Sequence, residues 1–220
     1  MRDELMVVIV VGIVLVAALF TFPFMFYYFM PYHFGAPYSM MTYYGNTIPI
    51  KDINVMSEPP SYVRVLPSNN TVIIDAVQGI DVKVYAMMGN AAESVTGRTM
   101  PAYSHGDVFV IYGLINPTIV IKSSSMSVEL TFTVVNLDDD MYHNFVITQN
   151  PPPYPYMMAG MMGNFDGNFF HMMPYLPPTS NGNAYTYNYS ISLNYPGTFW
   201  YICTYPGHAE EGMYGEIIVE

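Results

Sequence analysis

The sequence predicts an all-β sandwich carried behind a single N-terminal membrane-spanning helix. Three observations support this. No charged side chain occurs from Leu5 to Met30. From residue 71 onward, short β-branched and aromatic runs recur about every ten residues between turn signals, the pattern of an antiparallel sandwich. Past Met30 no segment sustains a helical period.

The chain opens "MRDELMVVIVVGIVLVAALFTFPFMFYYFM", and its 26 uncharged positions exceed the roughly 20 that a helix needs to cross a bilayer. The aromatic cluster from Phe22 to Phe29 suits a membrane interface. A cleaved signal peptide would have a shorter apolar core, about 7–15 residues. Residues 1–30 therefore read as an uncleaved anchor. Arg2 favours the inside, which leaves the remainder on the extracytoplasmic side of the cell membrane. Residues 31–68, rich in Pro, Tyr and Met, read as a linker, and 69–220 as the folded domain.

Composition narrows the function classes. Charged residues make up 10% of the chain and the net charge is −11, with the six Lys and Arg scattered, so nucleic acid is not a partner. One cysteine forms no intrachain disulfide, so stability falls to packing, hydrogen bonds or a metal.

Strands are expected near 71–77, 81–87, 108–112, 118–122, 127–135, 143–148, 185–193, 198–203 and 214–219. "YTYNYSISL" alternates almost throughout, which fits a strand with one buried face. The stretch 150–183 is long for a connection inside a compact domain and carries Met157, Met158, Met161, Met162, Met172 and Met173. Those thioethers could take Cu(I), but they read more simply as gap-filling residues forming an apolar lip.

The chemistry sits near the C-terminus. Cys203 closes an apolar strand, His208 follows on a Pro-Gly turn, and Met213 precedes the last strand, each five residues from the next. A thiolate and imidazoles with a weak thioether make the ligand set of a blue-copper site. That set needs a second imidazole from another strand, and His143 in "NLDDDMYHNFVIT" is the candidate. His171 is its rival, whereas His33 reads as solvated and His105 as a turn residue. Asp138, Asp139 and Asp140 read as a solvated turn.

"NLDDDMYHNFVI" together with "YPGTFWYICTYPGHAEEGMYGEIIV" resembles the cupredoxins, and in particular the rusticyanin and sulfocyanin group of acid-living microbes. The resemblance implies a cupredoxin-like Greek-key β-sandwich with one type 1 copper ion. It implies His143, Cys203, His208 and axial Met213 as ligands, with Asn144 steadying the ligand loop. It further implies a membrane-tethered blue copper protein that carries one electron between respiratory or iron-oxidising redox partners, such as a cytochrome or a terminal oxidase complex, and is not an enzyme. An exposed edge of His208 would then serve as the electron port. The alternative is a copper chaperone or storage protein using the Met-rich loop. A binuclear-copper oxidase subunit needs two bridging cysteines, and a multicopper oxidase needs His-x-His motifs; this chain has neither.

Overall fold

The structure, a computed structural model, describes residues 42–75, 79–123, 127–156, 173–194 and 196–220. The expected membrane segment, the first part of the expected linker, His33, His171 and five of the six loop methionines lie outside these residues. Among the described residues, no helix is long and apolar enough to cross a membrane.

The described residues form two six-stranded sheets. The first runs in the order β1 (Thr47–Pro49), β10 (Asn183–Leu193), β8 (Val128–Asn136), β4 (Ile80–Met88), β5 (Asp107–Ile111) and β6 (Leu114–Ile115). The second runs β2 (Val63–Leu66), β3 (Thr71–Asp75), β7 (Thr118–Lys122), β12 (Tyr214–Val219), β11 (Gly197–Ile202) and β9 (Val146–Thr148). Alternation decides which side of each strand is buried: Ile80, Val82 and Val84 in β4, and Val128, Leu130, Phe132 and Val134 in β8, all face the interior. They meet Ile119, Ile121, Phe199, Tyr201 and Ile217 from the second sheet in one apolar cluster.

All nine expected strands are present, and the all-β sandwich is the fold. Three features differ from expectation. First, the linker reading of 31–68 does not hold from Thr47 onward. Thr47–Pro49 pairs with β10 and Val63–Leu66 pairs with β3, so both belong to the sheets. Edge strands this short tolerate nearby proline, which hid them in a Pro-rich context. Second, Gly89–Thr96 forms a two-turn helix, α1, that buries Ala92 and stops at Gly97 with φ +65°. Two turns are too few to show a period. Third, β3–β7, β7–β12 and β4–β8 are parallel, so the sandwich is mixed rather than purely antiparallel. Alternation fixes which face of a strand is buried and carries no information about the direction of its neighbour.

One end of the second sheet matters for function. Val146 in β9 is registered opposite Ile202 in β11, and Ile202 is registered opposite Tyr214 in β12. The segment preceding β9 and the loop joining β11 to β12 therefore emerge side by side. His143 lies in the first, and Cys203, His208 and Met213 lie in the second.

Candidate metal centre

The loop from Cys203 to Met213 closes on itself through its own backbone. Cys203 N–H donates to Met213 O (3.1 Å), Met213 N–H to His208 O (2.8 Å), and Glu211 N–H to Gly207 O (2.8 Å). Gly212 makes the closure possible: its φ is +98°, and a Cβ there would lie 2.5 Å from both the Ser104 Cα and the Tyr103 carbonyl oxygen. The buried Asn116 amide donates to the Gly212 carbonyl (2.9 Å) while its oxygen accepts from Phe109 N–H (2.8 Å), so the loop is tied to the opposite sheet.

Asn144 fastens the other ligand-bearing segment to the same loop. Its Oδ1 accepts from Thr204 N–H (2.8 Å), and its Nδ2 donates to Thr204 Oγ1 (2.8 Å) and to the Met173 carbonyl (3.3 Å). Tyr175 OH adds a contact to Thr204 Oγ1 at 3.0 Å. All of this is buried, where satisfied polar networks hold one arrangement firmly.

Three donor atoms converge as a result. Cys203 Sγ lies 3.8 Å from His143 Nδ1 and 3.5 Å from His208 Nδ1, and the two Nδ1 atoms are 3.2 Å apart. A shared ion sits about 2.0–2.1 Å from an imidazole nitrogen and about 2.3 Å from a thiolate, so two nitrogens can be at most about 4.2 Å apart and a sulfur and nitrogen at most about 4.4 Å. All three spacings satisfy those bounds. Met213 is fully buried and belongs to the same apolar cluster as Cys203, Phe145 and Met173. One thiolate, two imidazoles and a buried thioether fit copper, because the thioether is a soft donor that zinc sites do not use.

The far sides of both rings face carboxylates. His143 Nε2 is 3.2 Å from Asp138 Oδ2, and Asp107 Oδ2 lies 3.9 Å from His143 Nε2 and 3.7 Å from His208 Nε2. The solvated-turn reading of Asp138 is therefore wrong: its side chain is fully buried. Asp107 went unnoticed because it begins a strand far from either motif. The expected exposed edge of His208 is also absent. That residue is 4% exposed and its Nε2 is covered, with the Tyr205 ring centred 4.8 Å from its own. Met173, the described member of the expected methionine lip, is buried in the core instead. His105 is exposed and donates its backbone N–H to Glu211 O (2.8 Å), as a turn residue would.

Without metal, the cluster resolves its own electrostatics by moving a proton. Burial alone would raise the Cys203 thiol, but the charge of His208 and hydrogen bonds from both rings outweigh it and bring the pKa down to about 5. Burial likewise works against a charged His143, yet the hydrogen bonds it donates to Asp138 and Cys203 hold it up at about 9. The Cys203 contribution to stability is complete above the ordinary thiol value of 9.0 and vanishes as pH falls through about 5. The His143 contribution is complete below 6.5 and vanishes as pH rises through about 9. The ultraviolet thiolate absorbance of the folded, metal-free protein is thus expected to persist on acidification until about pH 5. A midpoint near 9 would show that the two rings do not face the sulfur.

Comparison with known proteins follows the same lines. Residues 116–220 match the model for copper binding proteins of the plastocyanin/azurin family. The chain is 28% identical over 141 residues to rusticyanin of Acidithiobacillus ferridurans, a match covering 60% of this chain and 65% of that one, just under two thirds of its length. It is also 28% identical over 141 residues to rusticyanin of Acidithiobacillus ferrooxidans, covering 78% of that protein. Among solved structures, rusticyanin from Thiobacillus ferrooxidans is 27% identical, with a TM-score of 0.47 over 72% of this chain and 86% of that one.

Proposed function

We propose that the chain is a cupredoxin acting as a membrane-tethered, extracytoplasmic one-electron carrier whose copper is held by His143, Cys203, His208 and Met213. The observation that carries this reading is the meeting of three donor atoms from two loops within 3.2–3.8 Å. Bound copper supplies a one-electron couple between its cuprous and cupric forms. The protein's part is to hold the donors still. Asn144, Asn116 and the β9–β11–β12 register fix the two loops from separate directions, so a change of charge need not rearrange them. Phe145, Met173 and Tyr201, all buried beside the site, keep water out.

The uncharged stretch 5–30 supports tethering, and the family supports redox proteins such as a cytochrome or a terminal oxidase complex as donor and acceptor. An acidic setting is part of the same reading. Among the described residues, the Lys or Arg ion pairs are Arg64–Asp75 and Lys122–Glu220, both with exposed side chains, so protonating these surface carboxylates removes little stability. The storage reading loses support from Met173, which fills the core rather than offering an open thioether.

The test is the visible spectrum and reduction potential of the oxidised protein with a copper count. One copper per chain with an intense thiolate-to-Cu(II) band is expected, and a copper-loaded sample that stays colourless overturns the proposal. Met213→Leu is expected to keep copper and raise the potential, because a donor that favours Cu(II) is lost. A lowered potential would remove Met213 from the ligand set.

A further inference from the structure

We infer that Asp138 is the positioning residue of this site: its buried carboxylate takes the Nε2 hydrogen of His143 and thereby fixes which nitrogen that ring presents to the metal. The inference rests on the copper reading for its redox consequence, but its geometric part concerns this chain alone.

The two oxygens of Asp138 do different things. Oδ1 accepts from the backbone N–H groups of Asp140 (3.1 Å) and Met141 (3.3 Å), an ordinary turn contact. Oδ2 is turned inward and lies 3.2 Å from His143 Nε2. A turn needs only the first of these and could leave the second in water. Burying the whole carboxylate is costly unless the other oxygen is paired, and His143 is the partner that compensates. An ionised carboxylate only accepts, so when the ring gives up one proton to ligate a metal, the proton it keeps is the one on Nε2, and the Nδ1 lone pair is left facing Cys203 and His208.

Asp138 is itself held by the surrounding fold. Asn136 Oδ1 accepts the Asp138 N–H (2.9 Å), while Asn136 Nδ2 donates to the carbonyls of Met141 (2.9 Å), Leu176 (3.0 Å) and Pro177 (2.8 Å). Thr179 N–H donates to the Asp138 carbonyl at 2.7 Å. His143 exchanges backbone hydrogen bonds with Leu176, giving at 3.2 Å and receiving at 2.7 Å. The ring, its carboxylate and the segment behind them thus form one rigid block at the end of β8. Asp107 does not share the task. At 3.7 and 3.9 Å from the two Nε2 atoms it lies beyond hydrogen-bond reach, and its side chain is partly exposed.

A carboxylate on the outer nitrogen of a ligating imidazole makes the inner nitrogen a stronger donor, and loss of such a partner weakens metal binding about 10–100-fold. The added negative charge also favours cupric over cuprous copper. Asp138→Asn keeps Oδ1 for the turn and removes the charged acceptor. In this variant, Zn(II) affinity is expected to fall about 10–100-fold, Cu(II) affinity to fall more than Cu(I) affinity, and the potential to rise. Asp107→Asn should change Zn(II) affinity less.

Far-ultraviolet circular dichroism and thermal unfolding of the metal-free variants separate these effects from loss of fold. Should Asp138→Asn not fold, the unsubstituted Zn(II)-loaded protein decides the matter: its NMR spectrum should contain a downfield, slowly exchanging His143 Nε2 proton. Unchanged Zn(II) affinity and potential in a folded Asp138→Asn protein, an equal loss in Asp107→Asn, or the absence of that proton would each overturn the inference. Zinc is redox-inert and colourless, so its result stands even if the carrier reading fails.

Discussion

Cys203→Ser is expected to abolish the visible band of the oxidised copper protein entirely, while His171→Ala leaves it intact. The band arises from charge transfer out of a thiolate, and Cys203 is the only sulfur of that kind in the chain. Serine is close in size but cannot take its place, because a hydroxyl stays protonated where a thiol held at about 5 does not. The two Nδ1 atoms would remain 3.2 Å apart, so the variant is expected to keep some affinity for metal through its imidazoles while losing colour. A buried hydroxyl short of hydrogen-bond partners costs about 1–3 kcal/mol, small enough for the sandwich to persist. Circular dichroism of the variant should therefore match the parent. Retained colour in Cys203→Ser, or colour lost in His171→Ala, would move the site elsewhere in the chain.

The sandwich could be read from the sequence because its strands alternate. Ile80, Val82 and Val84, or Val128, Leu130 and Phe132, announce a buried face two residues at a time. The meeting of Cys203, His208 and His143 was similarly legible, since the first two share one short loop and His143 begins the approach to a strand that pairs with theirs. What escaped was decided by tertiary neighbours. Asp138 looks like its exposed companions Asp139 and Asp140 until Asn136 and Thr179 are seen to turn it inward. Asp107 is 36 residues ahead of His143 and reaches the site only because β5 lies in the facing sheet. Covering of His208 by Tyr205 is a matter of loop closure, and no local pattern reports it.

Those same neighbours bear on how electrons reach the site. His208 Nε2 is covered, and aromatic groups that do reach the surface pack around the ring. Tyr205 packs on His208, and Tyr142 stacks on Tyr205 with centroids 6.2 Å apart and planes 12° from parallel. Both tyrosines are part-exposed, whereas the imidazole is not. An apolar, aromatic cover of this kind admits close approach of a partner with little desolvation, which the carrier reading requires.

Phe145→Ala is expected to produce the largest loss of stability and to loosen the site along with it. Phe145 is fully buried, and its ring centroid lies 4.7 Å from Phe132, 5.2 Å from Phe109 and 5.1 Å from Tyr201. It thus joins strands of both sheets at the point where the chain leaves His143 and Asn144 for β9. Truncating a buried phenylalanine costs about 3–5 kcal/mol through lost transfer energy and the cavity left behind. At about 2–4 °C per kcal/mol for a domain of this size, the metal-free protein should melt about 6–20 °C lower. Metal bound to the native state alone restores part of this by mass action, so the deficit should shrink as copper is added. The loss should also weaken copper binding, since the backbone two residues before the cavity carries the His143 ring. A fall of less than about 1 kcal/mol would mean that this ring is not the keystone between the sheets. Unchanged copper affinity beside a full loss of stability would mean that Asp138 and Asn144 hold His143 in place without it.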